Sequence, residues 1–242
     1  MILFADFHTH TIYSHGRGTV RENVYSAVKK GLKAVGISEH GPNNIGVGTN
    51  IRDFEKIKKE IEELKKEIKG IDILFGCEAN VISLEGDLDI PEELLNEMDY
   101  VMVGLHPQIW GKSLKDTYHL LVENYIAKKL PSRLTKVMEQ NTRALINAIE
   151  RYKVDIITHP GLHMPINTKI LAKKAAEKGT ALEINAGHNH TTVDYIKIAK
   201  EQGVKFAIGS DAHEPDRVGD LKQAIKLAQK AGLTKEDIIN AL

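Results

Sequence analysis

Short apolar runs alternate with longer amphipathic ones along the whole chain. The short runs cover residues 2–7, 34–38, 71–76, 100–105, 155–158, 181–185 and 205–209. They are rich in Val, Ile and Phe and too short for helices, which suits strands buried on both faces of a parallel sheet. Between them the period becomes helical. In residues 54–68, Phe54, Ile57, Ile61, Leu64 and Ile68 step by three and four, while Glu55/Lys59 and Glu62/Lys66 make charge pairs on the opposite face. Gly70 then supplies a helix stop. The same pattern recurs over 22–30, 134–152, 168–178, 193–202 and 221–231. Strand and helix thus alternate seven times, and repeated βα units imply a parallel sheet wrapped in helices. Without a switch point in the order, these units predict an α/β fold, a distorted (β/α)7 barrel forming a single domain over residues 1–242. An open doubly wound sheet is the alternative.

Metal-competent side chains follow six of the seven predicted strands. Asp6-Phe7-His8-Thr9-His10 and then His15 follow the first, Glu39-His40 the second and Cys77-Glu78 the third. Leu105-His106 ends the fourth, Thr158-His159-Pro160 the fifth and Ser210-Asp211-Ala212-His213 the seventh. In a barrel these positions share the C-terminal face, where active sites are built. Seven imidazoles and two carboxylates converging there would leave lone pairs unsatisfied in a low-dielectric pocket. Divalent ions resolve that conflict, because neutral imidazole and carboxylate are good ligands for zinc, manganese or iron. Nine donors are too many for one tetrahedral ion and suit two or three, with a carboxylate as bridge. Taken singly, each residue has a plainer explanation: His40 or His106 as a hydrogen-bonded core histidine, Glu78 as half of an ion pair, Asp211 and His213 as turn chemistry. The signal lies in their joint placement at one end of successive strands.

Bulk composition narrows the function further. The chain carries 33 Lys and Arg against 33 Asp and Glu, a formal net charge of zero, so nothing steers it towards nucleic acid or an anionic membrane. No apolar run reaches the length of a membrane span. The first residues show no basic segment ahead of an apolar one, so no signal peptide is expected. One cysteine, Cys77, excludes an internal disulfide framework. A cytoplasmic enzyme acting on a small molecule is the expectation.

The order His-x-His, downstream His15, Glu-His, Glu, His, His-Pro and Ser-Asp-x-His resembles the PHP family, named for polymerase and histidinol phosphatase. The resemblance runs from Asp6 to the last helices and is closest to the small stand-alone phosphoesterases of that family. It implies a distorted (β/α)7 barrel and three divalent ions. It also implies a ligand set: His8, His10 and Asp211 on the first ion, Glu78 bridging the first and second, His106 and His159 on the second, and His15, His40 and His213 on the third. The expected reaction is hydrolysis of a small phosphomonoester, in which hydroxide shared by two ions attacks phosphorus. Glu78 and Asp211 are then the candidate catalytic carboxylates. Arg17 and Arg217, close in sequence to His15 and His213, are candidates for gripping phosphate oxygens. Asp6 is expected to orient a ligand from outside the metal shell.

Other residues fall outside the family pattern. His119, in a polar segment, is expected at the surface. His163 follows the His159-Pro160-Gly161 turn near the barrel mouth. His188 and His190 form a second His-x-His after the sixth strand and are expected on a polar loop facing substrate. Trp110 lies in a loop beyond a ligand strand, able to cover substrate or to pack a lid. Three rival functions share some of these features. An amidohydrolase also begins with His-x-His, but no lysine ends a central strand where a carbamylated bridge would sit. A nuclease would use the same chemistry, but the chain lacks a basic stripe. A metal-binding protein without catalysis is the third.

Overall fold

The computed structural model describes residues 1–242. Seven parallel strands pair in chain order: β1 (Ala5–Asp6), β2 (Ala34–His40), β3 (Asp72–Asn80), β4 (Tyr100–Gly104), β5 (Ile156–Ile157), β6 (Ala181–Asn185) and β7 (Phe206–Gly209). The sheet curls until its edges meet. Beyond β1 and β7, Thr9 and Ala212 form a parallel bridge, with His10 N–H donating to Ala212 O at 2.8 Å. The result is a nearly closed seven-stranded barrel, and the open-sheet alternative is excluded.

Helices cover the outside. They are α1 (Val20–Lys29), α2 (Ile51–Glu67), α3 (Glu92–Leu95), α4 (Leu114–Thr117), α5 (Asn124–Ala127), α6 (Pro131–Arg151), α7 (Thr168–Lys178), α8 (Val193–Lys200) and α9 (Lys222–Lys230). Local chemistry sets their ends. Thr19 and Glu22 form a capping box on α1, Asn50 caps α2, and Gly179 takes the left-handed conformation that closes α7. Phe54, Ile57, Ile61 and Leu64 of α2 are buried, as their spacing predicts. No helix is long and apolar enough to cross a membrane.

Two apolar clusters fill the molecule. A large one lies between the sheet and the helices, and a small one of Tyr100, Met102, Ile156, Ala181 and Ala207 plugs the barrel interior. The period of two along each strand separates them: Val101 and Val103 face the helices while Tyr100 and Met102 face the axis. Gly36 and Gly76 make room for the Tyr100 ring, since a Cβ at either would run into it. The same alternation continues upward. Glu78 lies two residues above Gly76, and Glu183 two above Ala181, so both carboxylates project into the upper barrel.

Three sequence expectations change. The first strand was expected over 2–7, yet its regular ladder is Ala5–Asp6. The residues before it pair instead with the C-terminal segment, Phe4 N–H donating to Asn240 O and Leu242 N–H to Ile2 O. The second and third strands run further than expected, because their register continues to His40 opposite Glu78. These two candidate ligands are therefore held on the ladder itself. Third, His119 is buried, contrary to the expected surface position. It lies in a π-helical segment (Tyr118–Glu123) between α4 and α5, where the wider turn breaks the helical period. Its Nδ1 is 2.8 Å from Glu123 and its Nε2 2.9 Å from Asn141 Oδ1 on α6.

Candidate metal centre

At the C-terminal end of the barrel the expected side chains converge. His8, His10, His40, Glu78, His159 and Asp211 are buried, and His106 and His213 are partly so. His15 lies at the rim, its ring centroid 4.0 Å from that of His213 and 4.9 Å from that of His40. Four overlapping triads bring their donor atoms within metal-binding range: His10/His40/His213, His8/His159/Asp211, His8/His10/Glu78 and His40/Glu78/His106.

Glu78 stands at the middle. Its Oε1 lies 2.9 Å from His159 Nε2 and 3.2 Å from His106 Nε2. Its Oε2 lies 2.9 Å from His40 Nδ1, 3.4 Å from His8 Nε2 and 3.6 Å from His10 Nε2. Neither oxygen has a partner in hydrogen-bond geometry, and His10 Nδ1, His40 Nδ1 and His213 Nε2 are likewise buried without one. A fully buried carboxylate left so is costly, whereas a cation among these atoms would satisfy them together.

Outer hydrogen bonds orient the rings towards that point. His8 Nδ1 is 2.7 Å from Glu183 Oε1, His106 Nδ1 is 2.7 Å from Asn80 Oδ1, and His213 Nδ1 is 2.8 Å from the Asp211 carbonyl. All three partners are acceptors, so each Nδ1 carries the proton and each Nε2 turns a lone pair inward, as metal-ligating histidines require. His8 and His10 Nε2 then face each other at 3.1 Å, and His106 and His159 Nε2 at 3.3 Å. At that separation one ring of each pair can donate to the other, or both can turn lone pairs to a shared cation. These observations fit a cluster of divalent ions.

The electrostatics agree. Burial takes His106 down to about 4, and burial with the neighbouring His213 and His40 takes His15 down to about 4, so both rings are neutral at pH 7. Burial would raise Glu78, but the surrounding imidazoles, His40 and His106 first, hold it well below the usual carboxylate range. Burial would lower His8, yet Glu183, Asp211 and Glu78 more than reverse it. The same negative charge would attract a metal ion.

Two supporting residues, Glu183 and Glu39, had no assigned role in the sequence, and Asp6 was expected as an outer carboxylate. Glu183, fully buried on β6, bonds His8 and accepts from His159 N–H at 2.7 Å and Asn185 Nδ2 at 3.0 Å. Gly209 leaves it room, because a Cβ there would meet the Glu183 carboxylate and His8. Its signal was readable: a carboxylate in the middle of a strand buried on both faces needs a partner. Glu39 accepts from Thr11 N–H and Oγ1 at 2.8 and 2.6 Å and from Ser14 Oγ, pinning the turn that carries His15. Asp6 accepts from the backbone N–H of His8, Ser210 and Gly219, holding the ends of β1 and β7. His159 and Asp211 both have positive φ, 24° and 53°, a strain that non-glycine residues sustain where surrounding contacts enforce it, often at functional sites.

At the rim the picture is mixed. His188 is exposed on the loop after β6 but places Nε2 3.1 Å from Asp211 Oδ2. His190 is half-buried and His163 exposed, and neither joins a triad. Trp110 is exposed, its backbone bonded to Asn43 beyond β2. Arg17 pairs with Glu214 at 2.7 Å and Arg217 with Asp220 at 2.8 Å, all in solvent. The Arg17 N–H donates to His213 O at 2.8 Å, which keeps that residue beside the cluster.

Comparison with known proteins adds three findings. The model of the PHP domain matches residues 6–186. A probable phosphatase of Thermoanaerobacter sp. (strain X514) is 36% identical over 250 residues, covering 99% of this chain and 91% of its relative. Another probable phosphatase, from Clostridium acetobutylicum, is 34% identical over 245 residues, covering 97% and 89%. Among solved structures, histidinol phosphate phosphatase from Lactococcus lactis, determined with zinc, L-histidinol and phosphate, superposes with a TM-score of 0.63. At 17% identity, over 97% of this chain and 95% of the other, it shares the fold.

Proposed function

This chain belongs to the PHP domain family, and we propose that within it the chain is a phosphatase releasing orthophosphate from a small phosphomonoester. The coarser activity, metal-dependent hydrolysis of phosphoric esters, follows from the family and from relatives named probable phosphatases. One observation carries the metal centre on which this reading rests: a buried carboxylate, Glu78, has imidazoles around both oxygens and hydrogen-bond geometry to none of them.

We assign three divalent ions to His8, His10, His15, His40, Glu78, His106, His159, Asp211 and His213. Glu78 is assigned the bridge because its two oxygens face different groups of rings, His106 and His159 on one side and His8, His10 and His40 on the other. Asp211 Oδ1 faces His8 and His10 at 3.5 and 3.3 Å, which supports its place beside those two. The His15, His40 and His213 rings gather at the rim, His15 stacked on His40 and tilted 58° to His213, supporting a separate position there. When bound, such ions lower the pKa of water and offset charge developing on a phosphoryl group.

The chain's own groups do the rest. Glu183, Asn80 and the Asp211 carbonyl fix ring tautomers, and the barrel walls exclude bulk water from Glu78. Arg17 and Arg217 are assigned to phosphate at the rim. Each would leave an exposed ion pair, which costs at most about 1 kcal/mol.

The test is phosphate release from a panel of phosphomonoesters by protein loaded with manganese or zinc. p-Nitrophenyl phosphate, histidinol phosphate, sugar phosphates and nucleotides span the leaving groups. Release that chelator abolishes is expected. Turnover confined to phosphodiesters or amides would refute the phosphomonoester reading.

A further inference from the structure

A cavity of about 440 Å³ opens beside the metal centre, between the loop after β6 and helix α9. Its inner end is lined by Asn185, which donates to Asp211 Oδ2 at 3.1 Å, and by His188, whose Nε2 lies 3.1 Å from the same oxygen. The cavity therefore begins one side chain away from a candidate ligand. Its outer wall is a stripe of α9 in which Gln223, Lys226 and Lys230 recur at helical spacing on one face. No carboxylate lines it, so the two ammonium groups face the space uncompensated. A second cavity with several lysines lies at the opposite end of the barrel, around the start of β3, and there Asp72 and Asp99 share the lining. The contrast matters: the cavity adjoining the metal centre is the one with cationic and neutral hydrogen-bonding walls.

We propose that this cavity is the leaving-group subsite, and that it selects phosphomonoesters whose organic part carries a second anionic group. The inference rests on the phosphatase reading. The volume falls within the range of small-molecule pockets and suits a sugar or similar polyol. His188 joins the two halves of the site. Its Nε2 lies 3.1 Å from Asp211 Oδ2, with Oδ1 turned towards His8 and His10, while its exposed ring edges the cavity. Thr191 offers a neutral partner for hydroxyl groups, and Lys226 and Lys230 meet the distal charge. This gives His188, the first histidine of the second His-x-His, a role in substrate contact.

The experiment compares fructose 1,6-bisphosphate with fructose 6-phosphate on metal-loaded enzyme, with p-nitrophenyl phosphate as a substrate lacking the second anion. The wild type should favour the bisphosphate in kcat/KM by about tenfold, the worth of one charge-assisted hydrogen bond. The double variant Lys226→Glu/Lys230→Glu should bring that ratio to about one or below, chiefly through KM. Reversing Lys65 and Lys69 at the far end of the barrel should leave the ratio as in the wild type. Equal ratios in the wild type and the α9 variant would overturn the subsite. If no ester is hydrolysed, the phosphatase reading fails, and calorimetric binding of the two sugar phosphates judges the cavity instead. Tighter binding of the bisphosphate that the α9 variant loses upholds an anion subsite, and equal binding rejects it.

Discussion

Replacing Glu183 with glutamine should reverse the tautomer of a metal ligand. Both carboxylate oxygens of Glu183 accept: Oε1 from His8 Nδ1 at 2.7 Å, and Oε2 from His159 N–H at 2.7 Å and Asn185 Nδ2 at 3.0 Å. Glutamine has one acceptor end and one donor end. If its oxygen turns to His8, its NH2 meets two donors. If its oxygen turns to His159 and Asn185, its NH2 meets His8 Nδ1 alone. The second orientation leaves fewer conflicts and makes His8 Nδ1 the acceptor, moving the proton to Nε2. The inward lone pair is then lost. Outer partners of metal-bound histidines are worth about 10–100-fold in metal affinity, or about 1.4–2.8 kcal/mol. A wrong tautomer at a catalytic histidine can cost on the order of ten-thousand-fold in turnover. The assay is metal content after dialysis against graded chelator, with thermal melts showing that the variant is folded. A Glu183→Gln protein that keeps wild-type metal content across the chelator series would refute the assignment of Glu183 as the residue that aims His8.

Three further outcomes are expected. Glu78→Gln should abolish phosphate release and lower bound metal, because one bridging oxygen becomes an amide donor facing imidazoles; full activity would reject the bridge. Asp87 is drawn down to about 2, burial opposing and hydrogen bonds from Ser83, Lys112 and Arg151 prevailing, so its stabilisation is present above the unfolded value near 4 and is lost as pH falls towards 2. Asp87→Asn should therefore cost about 1–2 kcal/mol at pH 7, reduced by the exposure of both cations, and the difference from wild type should close near pH 2 in urea melts of chelated protein. His119→Ala should cost about 1–3 kcal/mol in the same melts, since it removes a buried ring bridging Glu123 and Asn141 Oδ1 and leaves them only the longer bonds from Lys136 and Asn124, each at 3.3 Å, and a change within about 0.5 kcal/mol would show that water replaces the ring.

Alternation along the chain made the barrel legible because parallel strands and amphipathic helices carry different periods. The convergence of the candidate ligands was legible for a related reason: a buried strand that ends in His, Glu or Asp must aim that group somewhere, and strands in one parallel sheet all end on one face. What stayed hidden depended on contacts between distant segments. Nothing near Ile2 announces that its carbonyl pairs with Leu242, so β1 came out shorter than its apolar run. His119 looked polar because its partners were not visible: Glu123 ends the π-helical segment, whose wider turns shift the register, and Asn141 comes from α6. Glu183 is the instructive case. Its neighbours Leu182 and Ile184 point to the helices, so period two alone sends Glu183 into the barrel, where an unpaired carboxylate is untenable. That inference needed only the alternation already used to find the strand. The strained backbone at His159 and Asp211 could not be inferred in the same way, because a positive φ at His or Asp leaves no periodic trace. It falls where the chain leaves β5 and β7, at two side chains that converge with His8 on one group of possible metal donors.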